Sequence, residues 1–316
     1  MTRYVLVRLA SSAGLFVVIT LAAFVAFFVL PTTSAGRRQV LDPNQFHGSM
    51  PRAYVQYFWG LVTRGDLGHS TFTRQPVTSM LMRGAPVTLS LVIGGLVVSL
   101  LLALPLGLAS ALRPRSLVDR AANLFVLIGL SVFPLWLALM LSYVFGYHWR
   151  LLPIQGYCTL NAPLDTGCDG VGEWAYHLLL PWITFGVVNA ALFAAMTRAL
   201  VLEQLDEEYL RTARAKGAGE RRIVRAHVFK NVALPLVTML GVNAGTALTG
   251  VIFIESAFGL PGDGGILQQA AVRRDMPVTA GSVVLLAVVV MVLNLVVDIA
   301  YVALEPRLRS PQPRAA

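Results

Sequence analysis

Six stretches of this chain carry no Asp, Glu, Lys or Arg: residues 9–30, 86–112, 121–147, 178–197, 232–254 and 276–297. Each is about 20 residues or longer, enough at ~1.5 Å per residue to cross a hydrocarbon layer of about 30 Å. Hydrocarbon offers no partner to a bare N–H or C=O, so each stretch is expected to be helical. Charged residues make up only 13% of the sequence, against 56% apolar, and fall between these stretches. The pattern reads as an all-α polytopic membrane protein with six transmembrane helices. A secretory leader competes for the first stretch, because Arg3 and Arg8 precede it. Its 22 uncharged residues exceed the roughly 7–15 of a leader's apolar region, and no small-residue cleavage site follows. It is read as a retained span.

The basic residues orient the chain. With the N-terminus inside, segments 1–8, 113–120, 198–231 and 305–316 are cytoplasmic: 62 residues holding 16 of the 25 Lys and Arg. The outer segments 31–85, 148–177 and 255–275 hold the other nine in 106 residues. That asymmetry is the one the positive-inside rule requires, and it places both termini in the cytoplasm. The net charge of +9 is thus mainly a topology signal. Nucleic-acid binding is the weaker reading, because no basic stripe is interleaved with aromatics. By this map, 1–30 is the N-terminal end and first span, 31–85 is an outer segment, and 86–316 is a five-span core containing loop 198–231.

The loops carry the specific signals. In the outer segment, Tyr54, Tyr57, Phe58 and Leu61 recur at helical spacing, Gly65-Asp66-Leu67-Gly68 reads as a turn, and Pro76 is placed to open a short helix carrying Val77, Met80 and Leu81. These elements either pack along the membrane interface or contact a partner. Cys158 and Cys168, the only cysteines, lie ten apart in an outer loop. A disulfide fits an oxidising compartment, with free thiols or metal ligation as the alternatives. Loop 198–231 is the most informative. Leu202, Leu205, Tyr209 and Ala213 line one helical face, with acids Glu203, Asp206, Glu207 and Glu208 ahead of bases Arg211, Arg214 and Lys216. That order complements the helix dipole and allows a Glu207–Arg211 pair four residues apart. Gly217 sits where a left-handed C-terminal residue belongs, a second amphipathic run spans 220–230, and Pro235 marks re-entry into the membrane. Two short amphipathic helices joined by a glycine either dock on a partner, with Ile223 and Val224 exposed as anchors, or lie on the membrane surface.

At these residues the chain resembles the permease subunits of binding-protein-dependent ABC importers. Their cytoplasmic signature runs Glu-Ala-Ala, three residues, Gly, then a basic and apolar stretch ending in Leu-Pro; here it reads Arg211-Thr212-Ala213, Gly217 and Leu234-Pro235. The second alanine is kept as Ala213. The rest is similar to the peptide/nickel branch, in which 209–217 reads Tyr-Leu-Arg-Thr-Ala-Arg-Ala-Lys-Gly. Arg3-Tyr4, Gly65-Asp66-Leu67-Gly68-His69-Ser70, the outer run 254–262 and the C-terminal 294–309 resemble the first of that branch's two permeases.

The resemblance implies a type I importer permease fold, and a complex with a second homologous permease, two cytoplasmic ATPase subunits and an extracytoplasmic solute-binding protein, all in lipid. The chain would form half of a pathway for di- or oligopeptides, with nickel or another small solute as the alternative cargo. Arg211, Thr212, Ala213, Gly217, Glu220, Arg221, Arg222, Ile223, Val224 and Arg225 would make the ATPase-coupling loop, with Ile223 and Val224 as apolar anchors and Arg221, Arg222 and Arg225 as the charged rim.

Catalysis has little to stand on. Histidines 47, 69, 148, 177 and 227 all fall in loops or at span ends, and no Gly-x-x-x-x-Gly-Lys phosphate loop occurs. No catalytic, metal or cofactor-binding residue is expected. An ion-gradient transporter is the other class, and it usually needs charges at mid-membrane. Only Glu255 and Asp298 come near, both toward span ends; they are candidates for gating or for structural pairing, Asp298 with Asn294 or a loop arginine. With single cysteines introduced in intact cells, an impermeant maleimide should label positions 45 and 166 but not 219 or 312. Labelling of 219 from outside would overturn this topology.

Overall fold

The structure, a computed structural model, describes residues 2–29, 50–159, 167–215, 217, 219–224 and 228–304. Helices follow the uncharged stretches and overrun them. α1 (Thr2–Phe24) runs into a π-helical turn, Val25–Val29. Next come α2 (Met50–Arg64) and α3 (Val77–Leu112). α4 (Leu117–Ser131) is followed by α5 (Pro134–Leu141), which ends in a π-helical turn, Ser142–His148. α6 (Val171–Leu205) leads into the short α7 (Glu208–Ala215) and α8 (Glu220–Ile223). α9 (Phe229–Phe258), α10 (Asp263–Arg273) and α11 (Met276–Leu304) complete the order.

Among the described residues four helices are long and apolar enough to cross a membrane, and two bent pairs bring the spans to six when each pair is counted as one span. Those two depart from the straight helices expected. The span over 121–147 breaks by 108° between Ser131 and Pro134. The cause is local: proline disfavours helical geometry in the residue before it, and Phe133 is extended (φ −75°, ψ 134°) with Pro134 opening the next helix. The fifth span bends by 61° between Asn231–Gly241 and Gly245–Phe258. Glycine at both ends of that break weakens the helix locally.

One smaller expectation also changes. No separate short helix forms after Pro76: Val77 opens α3, 36 residues long, which continues straight into the span. Pro235, read as marking re-entry into the membrane, lies inside α9.

Packing groups the chain into two compact units, cut differently from the sequence segments: Met1–Ser90 with Gly259–Val292, and Leu91–Phe258 with Leu293–Ala316. In the first, the aromatic face of α2 meets α1. Phe24 lies 5.6 Å from Tyr54 and 5.7 Å from Tyr57 between ring centroids, Phe16 lies 6.1 Å from Phe58, and the Tyr54 hydroxyl donates to the Val17 carbonyl (3.2 Å). That face therefore packs within the chain. Burial pushes the Tyr57 hydroxyl up to about 12. The expected turn forms at Gly65 and Gly68, both at positive φ, with Asp66 Oδ1 accepting from the Gly68 N–H (2.8 Å). Ser70 donates to Asp275 Oδ2 (2.5 Å), locking the turn to the segment entering α11.

In the second unit, small residues let α3 and α6 approach closely, the usual solution where lipid cannot drive helices together. A Cβ on Gly107 would stand 2.6 Å from Thr197 Cβ and 2.8 Å from the Ala194 carbonyl; one on Gly186 would stand 2.8 Å from Val98 Cβ. Outward faces are apolar: Ile93 and Leu101 of α3 are 61% and 68% exposed, as suits lipid or another membrane subunit. Cys158 and Cys168 are bonded to each other, with Cα atoms 5.2 Å apart, and Cys168 N–H donates to the Thr159 carbonyl. Gly107→Ala should therefore destabilise the purified protein by about 1–3 kcal/mol through overpacking. Gly250→Ala, whose Cβ would meet only Pro134 Cγ at 3.8 Å, should leave the melting temperature nearly unchanged. Equal melting temperatures for the two would contradict the α3–α6 packing.

Candidate coupling site

Loop 198–231 does not stand off from the bundle. α6 carries helical geometry past the membrane block to Leu205, turns at Asp206 and Glu207, and α7 begins at Glu208. The single face expected from Leu202 to Ala213 is thus split between two helices. Gly217 then reverses the chain at φ +82°, and a Cβ there would meet nothing within 4 Å. The glycine is needed for its backbone conformation, since a left-handed residue with a side chain costs roughly 1–2 kcal/mol.

The apolar residues of the loop turn inward. Leu210 and Ile223 are fully buried and Val224 is 9% exposed. Leu210 and Ile223 pack with Ala111 of α3, Val201 of α6, Val228 just before α9, and Val232 and Leu236 in its first turns. This corrects the expectation that Ile223 and Val224 are exposed anchors. An isolated four-residue helix such as α8 is not stable in water, and burying its apolar residues against the bundle is what holds it. The exposed surface instead includes Asp206, Glu207, Glu208, Thr212, Ala215, Gly217, Gly219 and Arg222, with Tyr209 39% and Phe229 49% exposed.

A polar brace closes the base of the loop. The Tyr209 hydroxyl donates to Gln204 Oε1 (2.9 Å), and Asn231 Nδ2 reaches both the Tyr209 oxygen (2.9 Å) and Gln204 Oε1 (3.2 Å). Three elements, α6, α7 and α9, are thereby joined. Arg225 lies outside the described residues, as do the side chains of Arg211, Ala213, Glu220 and Arg221 on placed helices. The expected Glu207–Arg211 pair and the side chain of Asp298 in α11 fall in the same category. Glu255 lies fully buried in α9.

A charged cluster that the sequence reading did not single out lies beside the loop. Arg198 Nε donates to Asp119 Oδ1 (2.9 Å) and Ser110 Oγ (2.9 Å), and Arg198 Nη2 lies 3.3 Å from Asp119 Oδ2. Its signal was available. Asp119 is the only carboxylate in segment 113–120, and Arg198 is the first charge after a 20-residue uncharged block, on the side that the basic residues assign to the same face of the membrane.

A two-helix loop with a glycine reversal is packed against the ends of the long apolar helices α3, α6 and α9. Residues 103–310 match the family described as binding-protein-dependent transport system inner membrane component, and the chain belongs to it. It is 33% identical to the dipeptide transport system permease protein DppB of Escherichia coli K12, over 98% of this chain and 99% of that protein. It is 31% identical to the oligopeptide transport system permease protein AppB of Bacillus subtilis, with the same coverage of each. The di/tripeptide transport system permease protein DppB of Pseudomonas aeruginosa is 32% identical, again over 98% and 99%. The chain is a multi-pass inner-membrane permease subunit of an ABC importer and not an enzyme; ATP hydrolysis belongs to a separate subunit.

Stability variants should separate the loop's buried residues from its exposed ones. Ile223→Asp places a charge in a packed apolar site and should destabilise the permease by several kcal/mol, read as a large fall in melting temperature. Gly217→Ala should lose only about 1 kcal/mol, from backbone strain. A small effect of Ile223→Asp would contradict the inward packing of α8.

Proposed function

We propose that this chain forms half of the translocation pathway of a peptide importer, paired with a second homologous permease. Two cytoplasmic ATPase subunits and an extracytoplasmic solute-binding protein complete the complex. The observation carrying the cargo is that full-length relatives are named for dipeptide, oligopeptide and di/tripeptide transport. Both termini face the cytoplasm in this reading, supported by the density of basic residues in segments 113–120 and 198–231. Residues 31–85 form the outer segment and 86–316 the core of the permease.

Loop 198–231 is the ATPase-coupling site in this proposal. The ATPase meets the exposed turn at Gly217, together with Thr212, Arg222 and the basic rim of Arg211, Arg221 and Arg225. Ile223 and Val224 serve from within, fixing the loop to the spans so that force applied to the turn reaches them. ATP-driven closure of the ATPases then shifts the permease pair between outward- and inward-open packings, a two-state element that both cargo and nucleotide bias.

The cargo test is growth of a deletion strain on a dipeptide or tripeptide as sole nitrogen source, with and without added nickel. Loss of growth restored by the gene and not by nickel is expected; normal growth on peptides with a nickel-dependent defect would overturn the peptide reading. For coupling, Arg222→Glu and Gly217→Asp should retain permease assembly but lose ATPase co-purification and most peptide uptake. Full ATPase retention in both would sink the loop's assigned role.

A further inference from the structure

The coupling loop and the turn between α3 and α4 share the same two supports. At the end of α3, Ser110 and Ala111 are adjacent and fully or almost fully buried. Ser110 meets Asp119 and Arg198, whereas Ala111 joins the apolar cluster that holds Ile223 and Leu210. Three residues apart on α6, Arg198 enters the charged cluster and Val201 the apolar one. The charged and apolar clusters therefore stand next to each other on the same pair of helices.

Asp119 is saturated with donors. Its Oδ1 accepts from Ser110 Oγ (2.5 Å), Asn123 Nδ2 (3.0 Å) and Arg198 Nε (2.9 Å), and its Oδ2 accepts from the Arg115 N–H (2.9 Å). The Asp119 N–H in turn donates to Ser116 Oγ, the cap of α4. Arg115 holds a left-handed backbone, φ +63°, without being glycine, and its N–H points into the carboxylate. Asp119 is 6% exposed, and the Arg198 side chain is 29% exposed. The 113–116 turn is thus held to Asp119 at Arg115 and Ser116, and the Asp119 carboxylate is held in turn by Arg198 of α6. Replacing a buried ion pair by apolar residues of similar size is often neutral or stabilising, so a pair of this kind is weak evidence for a role in stability alone.

We infer that Asp119 and Arg198 are positioning residues for transport: they fasten the α3–α4 turn to α6 so that it moves with the coupling loop as one piece. The inference rests on the coupling role proposed for loop 198–231. A displacement imposed at α7 then reaches α4, and through it the broken third span. Without the pair, the loop could move while α4 lags, and ATP would be hydrolysed with little cargo moved.

The test uses the full permease–ATPase complex in lipid nanodiscs, with spin labels at positions 113 and 208, without nucleotide and with a trapped ATP analogue. In the parent protein the label distance should be the same in both states. In Asp119→Asn it should shift or broaden on trapping, ATP hydrolysis should persist, and peptide uptake per ATP should fall about fivefold or more. A double variant, Asp119→Leu with Arg198→Met, removes the charges while keeping apolar volume. It is expected to match Asp119→Asn, and it supplies the reading if Asp119→Asn does not assemble. A nucleotide-dependent distance in the parent, or unchanged distance and unchanged uptake per ATP in the variants, would overturn the inference. ATPase co-purification is scored alongside: its loss in Arg222→Glu reports on docking, and its retention in the Asp119 variants separates the two readings.

Discussion

Inside a bilayer no water is available to a backbone N–H or C=O, and the rest of this structure follows from that constraint. It makes every uncharged stretch helical, and it also dictates how a break is tolerated. Where the third span stops at Ser131, the Val132 N–H still reaches the Ile128 carbonyl (3.0 Å) and the Leu137 N–H reaches the Phe133 carbonyl (3.2 Å). Pro134, which has no N–H, sits where its missing donor leaves nothing unmet. The bend of 108° therefore keeps backbone hydrogen bonds on both sides of the break.

With lipid as apolar as leucine, packing between spans cannot rest on hydrophobic burial, and close contact takes over. Gly95, Gly107 and Gly186 lie where α3 and α6 meet, each with too little room for a Cβ. Beyond the membrane the balance changes, because water restores the hydrophobic effect. The loop from α7 to α9 is organised as a small water-soluble core would be, with Leu210, Ile223 and Val228 fully buried and Glu208 and Arg222 exposed. In the proposed coupling role, a force applied to such a loop would reach the spans through these buried apolar side chains.

That division explains why Ile223 and Val224 were misread from the sequence. An amphipathic run shows that one face is buried, not what buries it. Charge and spacing identified the loop, the glycine reversal and the family, since these depend on residues close together in the chain. The Asp119–Arg198 pair joins residues 79 apart, and the Ser70–Asp275 bond residues 205 apart. Neither separation leaves a periodic signal.

The sequence by itself determined the number and the helical character of the membrane stretches. Charge-free length and the absence of water leave a chain no alternative there. It also determined the left-handed turn at Gly217, because only glycine adopts that conformation at little cost. Only the tertiary structure decided which faces of the loop are buried, which spans bend, and which charge meets Asp119. Those outcomes depend on surfaces brought together by folding, where close packing and the need to pair a buried charge select one arrangement among many that the same local pattern permits.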